Sequence, residues 1–123
     1  MSHVLIVDDE PSICWGFREF LSEEGHEVSI AASAEEALRM VGEKKPAAIV
    51  LDVRLPGMDG LTAIEQFRRL VGDVPIIVIT AFGNLETAVQ AVKEGAFDYL
   101  PKPFDLDQAS EVVSRALRAA ESK

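Results

Sequence analysis

Four apolar runs in this chain end on polar side chains whose types could do chemistry together. Ile49-Val50-Leu51 runs into Asp52, and the turn-rich Val53-Arg54-Leu55-Pro56-Gly57-Met58-Asp59-Gly60 follows at once, with Pro-Gly and Asp-Gly marking a loop. His3-Val4-Leu5-Ile6-Val7 breaks at Asp8-Asp9-Glu10, Ile76-Ile77-Val78-Ile79 ends on Thr80, and the segment from Phe97 to Leu100 gives way to Pro101-Lys102-Pro103. If those ends converge, the three aspartates repel one another, which raises some of their pKa values or calls for a compensating cation. A hard divalent ion fits best. Magnesium, with manganese as a substitute, takes oxygen ligands, keeps several waters and typically binds one or two carboxylates plus phosphate oxygens. A carboxylate can itself accept a phosphoryl group when metal and cationic side chains offset the transferred charge. Asp52 is then the candidate nucleophile, Lys102 the ammonium and Thr80 the hydroxyl.

Each residue taken singly has a structural explanation. Asp8, Asp9 or Glu10 could cap and charge-stabilise a helix, Thr80 could be an ordinary β-branched strand residue, and Lys102 a solvated surface lysine. The chemical reading stands on their falling together, so the elements between them matter.

After the strand His3 to Val7, Pro11 suits the first position of a helix reaching about Glu24, with Ile13, Phe17, Phe20 and Leu21 on one face and Gly25 closing it. Val28-Ser29-Ile30 reads as a second strand. Ser33 and Glu36 have capping-box spacing ahead of a helix to about Lys44, with Ala37, Leu38 and Val41 inward. Pro46 stops that pattern, and Ala47 to Leu51 forms the third strand. Leu61 to Val71 reads as a helix with Ile64, Phe67 and either Leu70 or Val71 facing in. Pro75 opens the fourth strand, Ile76 to Thr80, and Ala81-Phe82-Gly83 is its exit. Leu85, Ala88, Val89 and Val92 recur at helical spacing before Gly95. Phe97 to Leu100 is a short fifth strand. Asp105 and Gln108 repeat the cap-box spacing before a last helix to about Glu121, striped by Leu106, Ala109, Val113, Ala116, Leu117 and Ala120.

Alternating strands and helices predict an α/β fold: one parallel five-stranded sheet covered on both faces, in the flavodoxin-like order 2-1-3-4-5. That order puts the switch point between strands one and three, where Asp8, Asp9 and Asp52 would meet. A chain of 123 residues with 48% hydrophobic residues fits one domain with a real core, so no second domain is expected. The net charge of −9 disfavours direct nucleic-acid binding, since phosphate contacts depend on Lys and Arg. No run approaches the roughly 20 apolar residues of a membrane span, and the N-terminus has no basic segment followed by a long apolar one. With Cys14 alone no internal disulfide forms, which fits a reducing cytoplasm; Cys14 itself reads as a small core residue. His3 and His26 read as exposed and without metal-ligand company.

With these residues in hand, the chain resembles a response-regulator receiver domain, the phosphoacceptor module of two-component signalling, over essentially its whole length. The resemblance is carried by VDDE at Val7 to Glu10, LDVRLPGMDG at Leu51 to Gly60, ITAFG at Ile79 to Gly83 and FDYLPKPF at Phe97 to Phe104. It implies Asp52 as the phosphorylated aspartate, Asp8 and Asp9 as the acidic pair holding magnesium, and the backbone carbonyl of Arg54 as a further ligand. It also implies Lys102 as the lysine contacting the phosphoryl group, Thr80 as the switch hydroxyl, Tyr99 as the switch aromatic, and a cis bond between Lys102 and Pro103. Arg54 and Phe82 occupy positions beside the site where receivers vary, and Phe82 is bulky near the entrance. GAFDYLPKPFD and SICWGF look most like receivers of the NtrC class, which precede an ATPase and a DNA-binding domain; neither is found in these residues, which fits both an excised receiver and a single-domain regulator.

The resemblance implies a switch controlled by phosphorylation. A partner histidine kinase donates to Asp52, Thr80 moves toward the new charge, Tyr99 turns into the vacated space, and the surface of helix four, strand five and helix five changes to engage an output domain or partner, with self-association on phosphorylation as one outcome. Two rival classes fit less well. A phosphohydrolase with an aspartate nucleophile looks for a second acid two residues on, where this chain has Arg54, so steady turnover of external esters is not expected. A flavin or nucleotide binder on this fold needs a phosphate loop after the first strand, and Asp8-Asp9-Glu10 would repel the phosphate. A receiver that is never phosphorylated is a third reading, and the complete residue set speaks against it.

Overall fold

In a computed structural model, residues 2–54, 60–80 and 85–121 are described. The chain alternates β1 (His3–Val7), α1 (Pro11–Glu23), β2 (Glu27–Ala31), α2 (Ala34–Glu43), β3 (Ala48–Asp52), α3 (Gly60–Val71), β4 (Ile76–Thr80), α4 (Leu85–Lys93), β5 (Asp98–Pro101) and α5 (Leu106–Glu121). The strands form one parallel sheet in the order β2-β1-β3-β4-β5, as the sequence predicts. Every residue of β3 and β4 is buried, because a parallel strand between two helical layers has no solvated face.

Alternation along the strands divides the core in two. Leu5, Val7, Ile49, Leu51, Ile76 and Val78 face α2, α3 and α4, packing on Val41, Ile64 and Phe67. Val4, Ile6, Val50, Ile77, Ile79 and Leu100 face α1 and α5, packing on Phe17, Leu21, Val113 and Leu117. Cys14 is buried in this second layer, as expected of a core residue.

Register aligns the strand ends. Val7 pairs with Leu51, Asp52 with Ile79, and Thr80 with Pro101, so Asp8, Asp52, Thr80 and Lys102 fall along one rim. Two predicted caps form. The Ser33 hydroxyl accepts from the Glu36 N–H at 3.1 Å, and Asp105 and Gln108 bond reciprocally at 2.8 and 3.0 Å. The peptide bond between Lys102 and Pro103 is cis.

Of the two inward candidates on α3, Val71 is the buried one and Leu70 is 58% exposed. Several other details differ from the sequence reading. On α4 the buried positions are Ala88 and Ala91, while Leu85, Val89 and Val92 lie outward; the two alanines alone let the helix lie close to the sheet. Leu106 opens α5 but is exposed. β5 starts at Asp98 and runs through Pro101, one residue later than the apolar run suggests, although the Phe97 N–H still donates to the Ile76 carbonyl at 2.7 Å. Both histidines are half-buried rather than exposed: His3 Nε2 lies 2.7 Å from the Ser29 hydroxyl, and His26 Nδ1 accepts from the Ser2 N–H at 3.3 Å. The Ala81-Phe82-Gly83 exit and the loop from Leu55 to Asp59 lie outside the described residues, so Phe82 is not placed.

Candidate functional site

Carboxylate oxygens of Asp8, Asp9 and Asp52, one from each residue, all lie within 4.8 Å of one another. Asp8 is the residue that follows β1, and its own N–H donates to the Ala31 carbonyl at 3.1 Å, so the end of β1 is fixed against β2. Asp8 Oδ1 accepts from the Glu10 N–H at 2.9 Å, and Asp52 Oδ1 accepts from the Arg54 N–H at 2.8 Å. Both side chains thus take the turn that follows their strand as a local donor, which holds the carboxyl group over the strand end. Asp9 is exposed, whereas Asp8 and Asp52 are only 1% and 6% accessible.

Lys102 answers this negative charge from the residue after β5. Its Nζ lies 3.3 Å from Asp52 Oδ2, 3.3 Å from Glu10 Oε1 and 3.6 Å from Asp8 Oδ2. Its backbone N–H donates to the Thr80 carbonyl at 2.7 Å, which ties the lysine to the end of β4. Burial alone would lower the Lys102 ammonium, but the charges of Asp8 and Asp52 and hydrogen bonds to Asp52 and Glu10 together hold it above the ordinary lysine value. For Asp8, burial raises the carboxyl first and the Asp52 charge adds to it, against the Glu10 N–H and the Lys102 charge, leaving it pushed up to about 6.

One lysine does not satisfy three aspartates. Asp8 Oδ2 is a buried atom with no hydrogen-bond partner among the described residues, and it belongs to an all-oxygen donor set. A buried carboxylate oxygen with no hydrogen bond and only an ammonium at 3.6 Å, beside two more carboxylates, is what a hard divalent cation would complete, so the residues fit magnesium. The Cys14 thiol donates to the Asp8 carbonyl at 3.2 Å and is pushed up by burial and then by the Asp8 charge, so it stays protonated and supports the Asp8 backbone.

Thr80 is 2% exposed at the end of β4. Tyr99 is half-buried and packs with the core layer that contains Val78, its register partner. Strand alternation puts Thr80 and Tyr99 on the same face, two steps apart on adjacent strands. Arg54 is exposed at the start of the loop after β3. The residue that the sequence reading did not single out is Glu10. It reads as a helix-terminal acid, and it does occupy the N-cap of α1, but its side chain makes no cap bond and reaches Lys102 instead. No signal in the sequence links positions 10 and 102; only the alignment of strand ends does.

A parallel sheet in the order β2-β1-β3-β4-β5 with three carboxylates at its switch point and a lysine on the same rim has the arrangement of a receiver domain. The response regulator receiver domain family matches residues 4–114. The chain is 42% identical over 112 residues to the DNA-binding transcriptional regulator NtrC of Klebsiella pneumoniae, across 91% of this chain and 24% of that protein. It is 40% identical over 114 residues to the transcriptional regulatory protein ZraR of Salmonella typhimurium, across 93% of this chain and 26% of the relative. The crystal structure of the receiver domain of NtrX from Brucella abortus superposes with a TM-score of 0.89 at 38% identity, covering 94% of this chain and 98% of that one. The chain is a member of the response regulator receiver domain family of two-component signalling, and these curated relatives are transcription regulators of which it spans about a quarter.

Proposed function

We propose that residues 1–123 act as one receiver unit whose Asp52 accepts a phosphoryl group from a phosphohistidine on a sensor histidine kinase. The observation that carries this reading is the gathering of Asp8, Asp9, Asp52 and Lys102 at one rim of the sheet. An Asp52 carboxylate oxygen attacks phosphorus in line, the P–O bond forms as the P–N bond to the kinase histidine breaks, and the imidazole keeps the electron pair of the broken bond. Asp52 is suited to this because one of its oxygens is fixed by the Arg54 N–H, which orients the other toward the rim. Lys102 offsets charge on the transferred group and orients it. Magnesium or manganese, held by Asp8, Asp9, Asp52 and the Arg54 carbonyl, would supply the remaining positive charge that the incoming phosphoryl oxygens require.

Thr80 and Tyr99 form the switch. The new charge on Asp52 draws the Thr80 hydroxyl, Tyr99 turns toward the space left on their shared face, and the α4-β5-α5 surface changes to act on an output domain or partner. The output is NtrC-type transcription control in the cytoplasm, with homodimerisation on phosphorylation as part of it. The chain modifies itself in this scheme and turns over no external substrate. None of the described helices is long and apolar enough to cross a membrane.

The test is intact mass after incubation with an acyl phosphate and magnesium. One phosphoryl group should be added to the native chain and none to Asp52→Asn. Equal labelling of both proteins would refute Asp52 as the acceptor.

A further inference from the structure

Lys102 has three N–H donors and three carboxylates around it, but the three acids differ in kind. Asp8 and Asp52 belong to the cluster that a divalent cation would occupy, whereas Glu10 stands outside it, with 52% of its side chain exposed. Glu10 is held in place for the lysine: its Oε2 accepts from the Ser12 hydroxyl at 3.2 Å while Oε1 faces Lys102 Nζ at 3.3 Å. Its backbone N–H is already committed to Asp8. One residue therefore touches the metal-side acid through its backbone and the lysine through its side chain.

A cation on Asp8 and Asp52 and the ammonium of Lys102 compete for the same oxygens and repel each other. Resting on the receiver reading above, we infer that Glu10 is a positioning residue: it is the anchor to which Lys102 transfers when a divalent cation takes Asp8 and Asp52, keeping the ammonium at the rim for the phosphoryl group. Without Glu10 the lysine has no other carboxylate among the ion-pair partners found for it in the described residues, so it stays on Asp8 and Asp52 and opposes the cation. Glu10 favours metal binding by giving the competitor somewhere to go.

The charge of Glu10 would also attract a cation directly, and a double-mutant cycle separates the two effects. Magnesium is titrated into the native chain, Glu10→Gln, Lys102→Met and the double variant. Binding is followed by the fluorescence of Trp15, the sole tryptophan, which lines the same hollow as Asp8 and Asp9, and by backbone amide shifts. Glu10→Gln should weaken magnesium about three- to fivefold, the size of a half-exposed ion pair. In the Lys102→Met background the same change should have little effect, and Lys102→Gln serves the same cycle if the methionine variant does not fold. Equal weakening in both backgrounds would overturn the anchoring role and leave the receiver reading intact. No magnesium binding by the native chain would overturn both.

Discussion

The backbone N–H of Lys102 donates to the backbone carbonyl of Thr80 at 2.7 Å, so the lysine of the rim and the buried hydroxyl residue of β4 are joined main chain to main chain. A side-chain change at Thr80 can therefore remove the hydroxyl without releasing Lys102.

Thr80→Ala should accordingly still label at Asp52 with an acyl phosphate and magnesium, at a stability cost of about 1 kcal/mol for the lost buried hydroxyl. What it should lose is the response of Tyr99, read as the change in its ring resonances on phosphorylation. An undiminished Tyr99 response in Thr80→Ala would remove Thr80 from the switch.

Metal binding and pH should be linked through Asp8. Its carboxyl is pushed up from 3.8 to about 6, so the folded chain holds this proton more tightly than the unfolded chain does. The resulting stabilisation is complete below about pH 4 and is lost as pH rises through about 6. Magnesium needs the charged form, so its affinity should climb with pH across about 5 to 7 and then level off. At ten times its Kd the metal should add about 1.4 kcal/mol, raising the Tm by roughly 5 °C at neutral pH and by much less in acid. Calorimetric scans with and without magnesium would show this, and Asp8→Asn should flatten the dependence. A metal-induced rise in Tm that ignores pH over this range would contradict the role given to Asp8.

Phe17 connects the α1 layer to the segment that follows Lys102. It is 2% exposed, with ring centroids 5.3 Å from Phe20 and 5.7 Å from Phe104. Phe17→Ala should cost about 3–5 kcal/mol in denaturant unfolding, the range for emptying a buried aromatic site. A loss below about 1 kcal/mol would mean the neighbouring rings close the gap.

The sheet and the rim were legible because parallel strands buried on both faces leave uninterrupted apolar runs, and the polar residue ending each run marks where the chain emerges. Asp8, Asp9, Asp52 and Lys102 could be brought together on strand order alone. Helix faces were less legible. Leu85, Val89 and Val92 have the spacing of a buried stripe, yet Ala88 and Ala91 face the sheet, because spacing cannot distinguish a large residue turned outward from a small one that permits close packing. β5 was misplaced by one residue because apolar Phe97 has strand character yet lies just before the strand, whereas Pro101 lacks it and is held in the ladder by pairing with Thr80. Glu10 was missed because its partner lies 92 residues away and its own neighbourhood already offered a helix-terminal explanation.

Burial falls off across the sheet from β3, wholly enclosed, to β5, where only Leu100 is fully covered. Asp52 thus ends a strand with no solvated face, while Tyr99 lies on the half-covered border of the sheet. In the proposed switch, a charge added at Asp52 would meet close packing at the centre of the sheet, so the repacking it demands would fall to the less covered border that carries Tyr99.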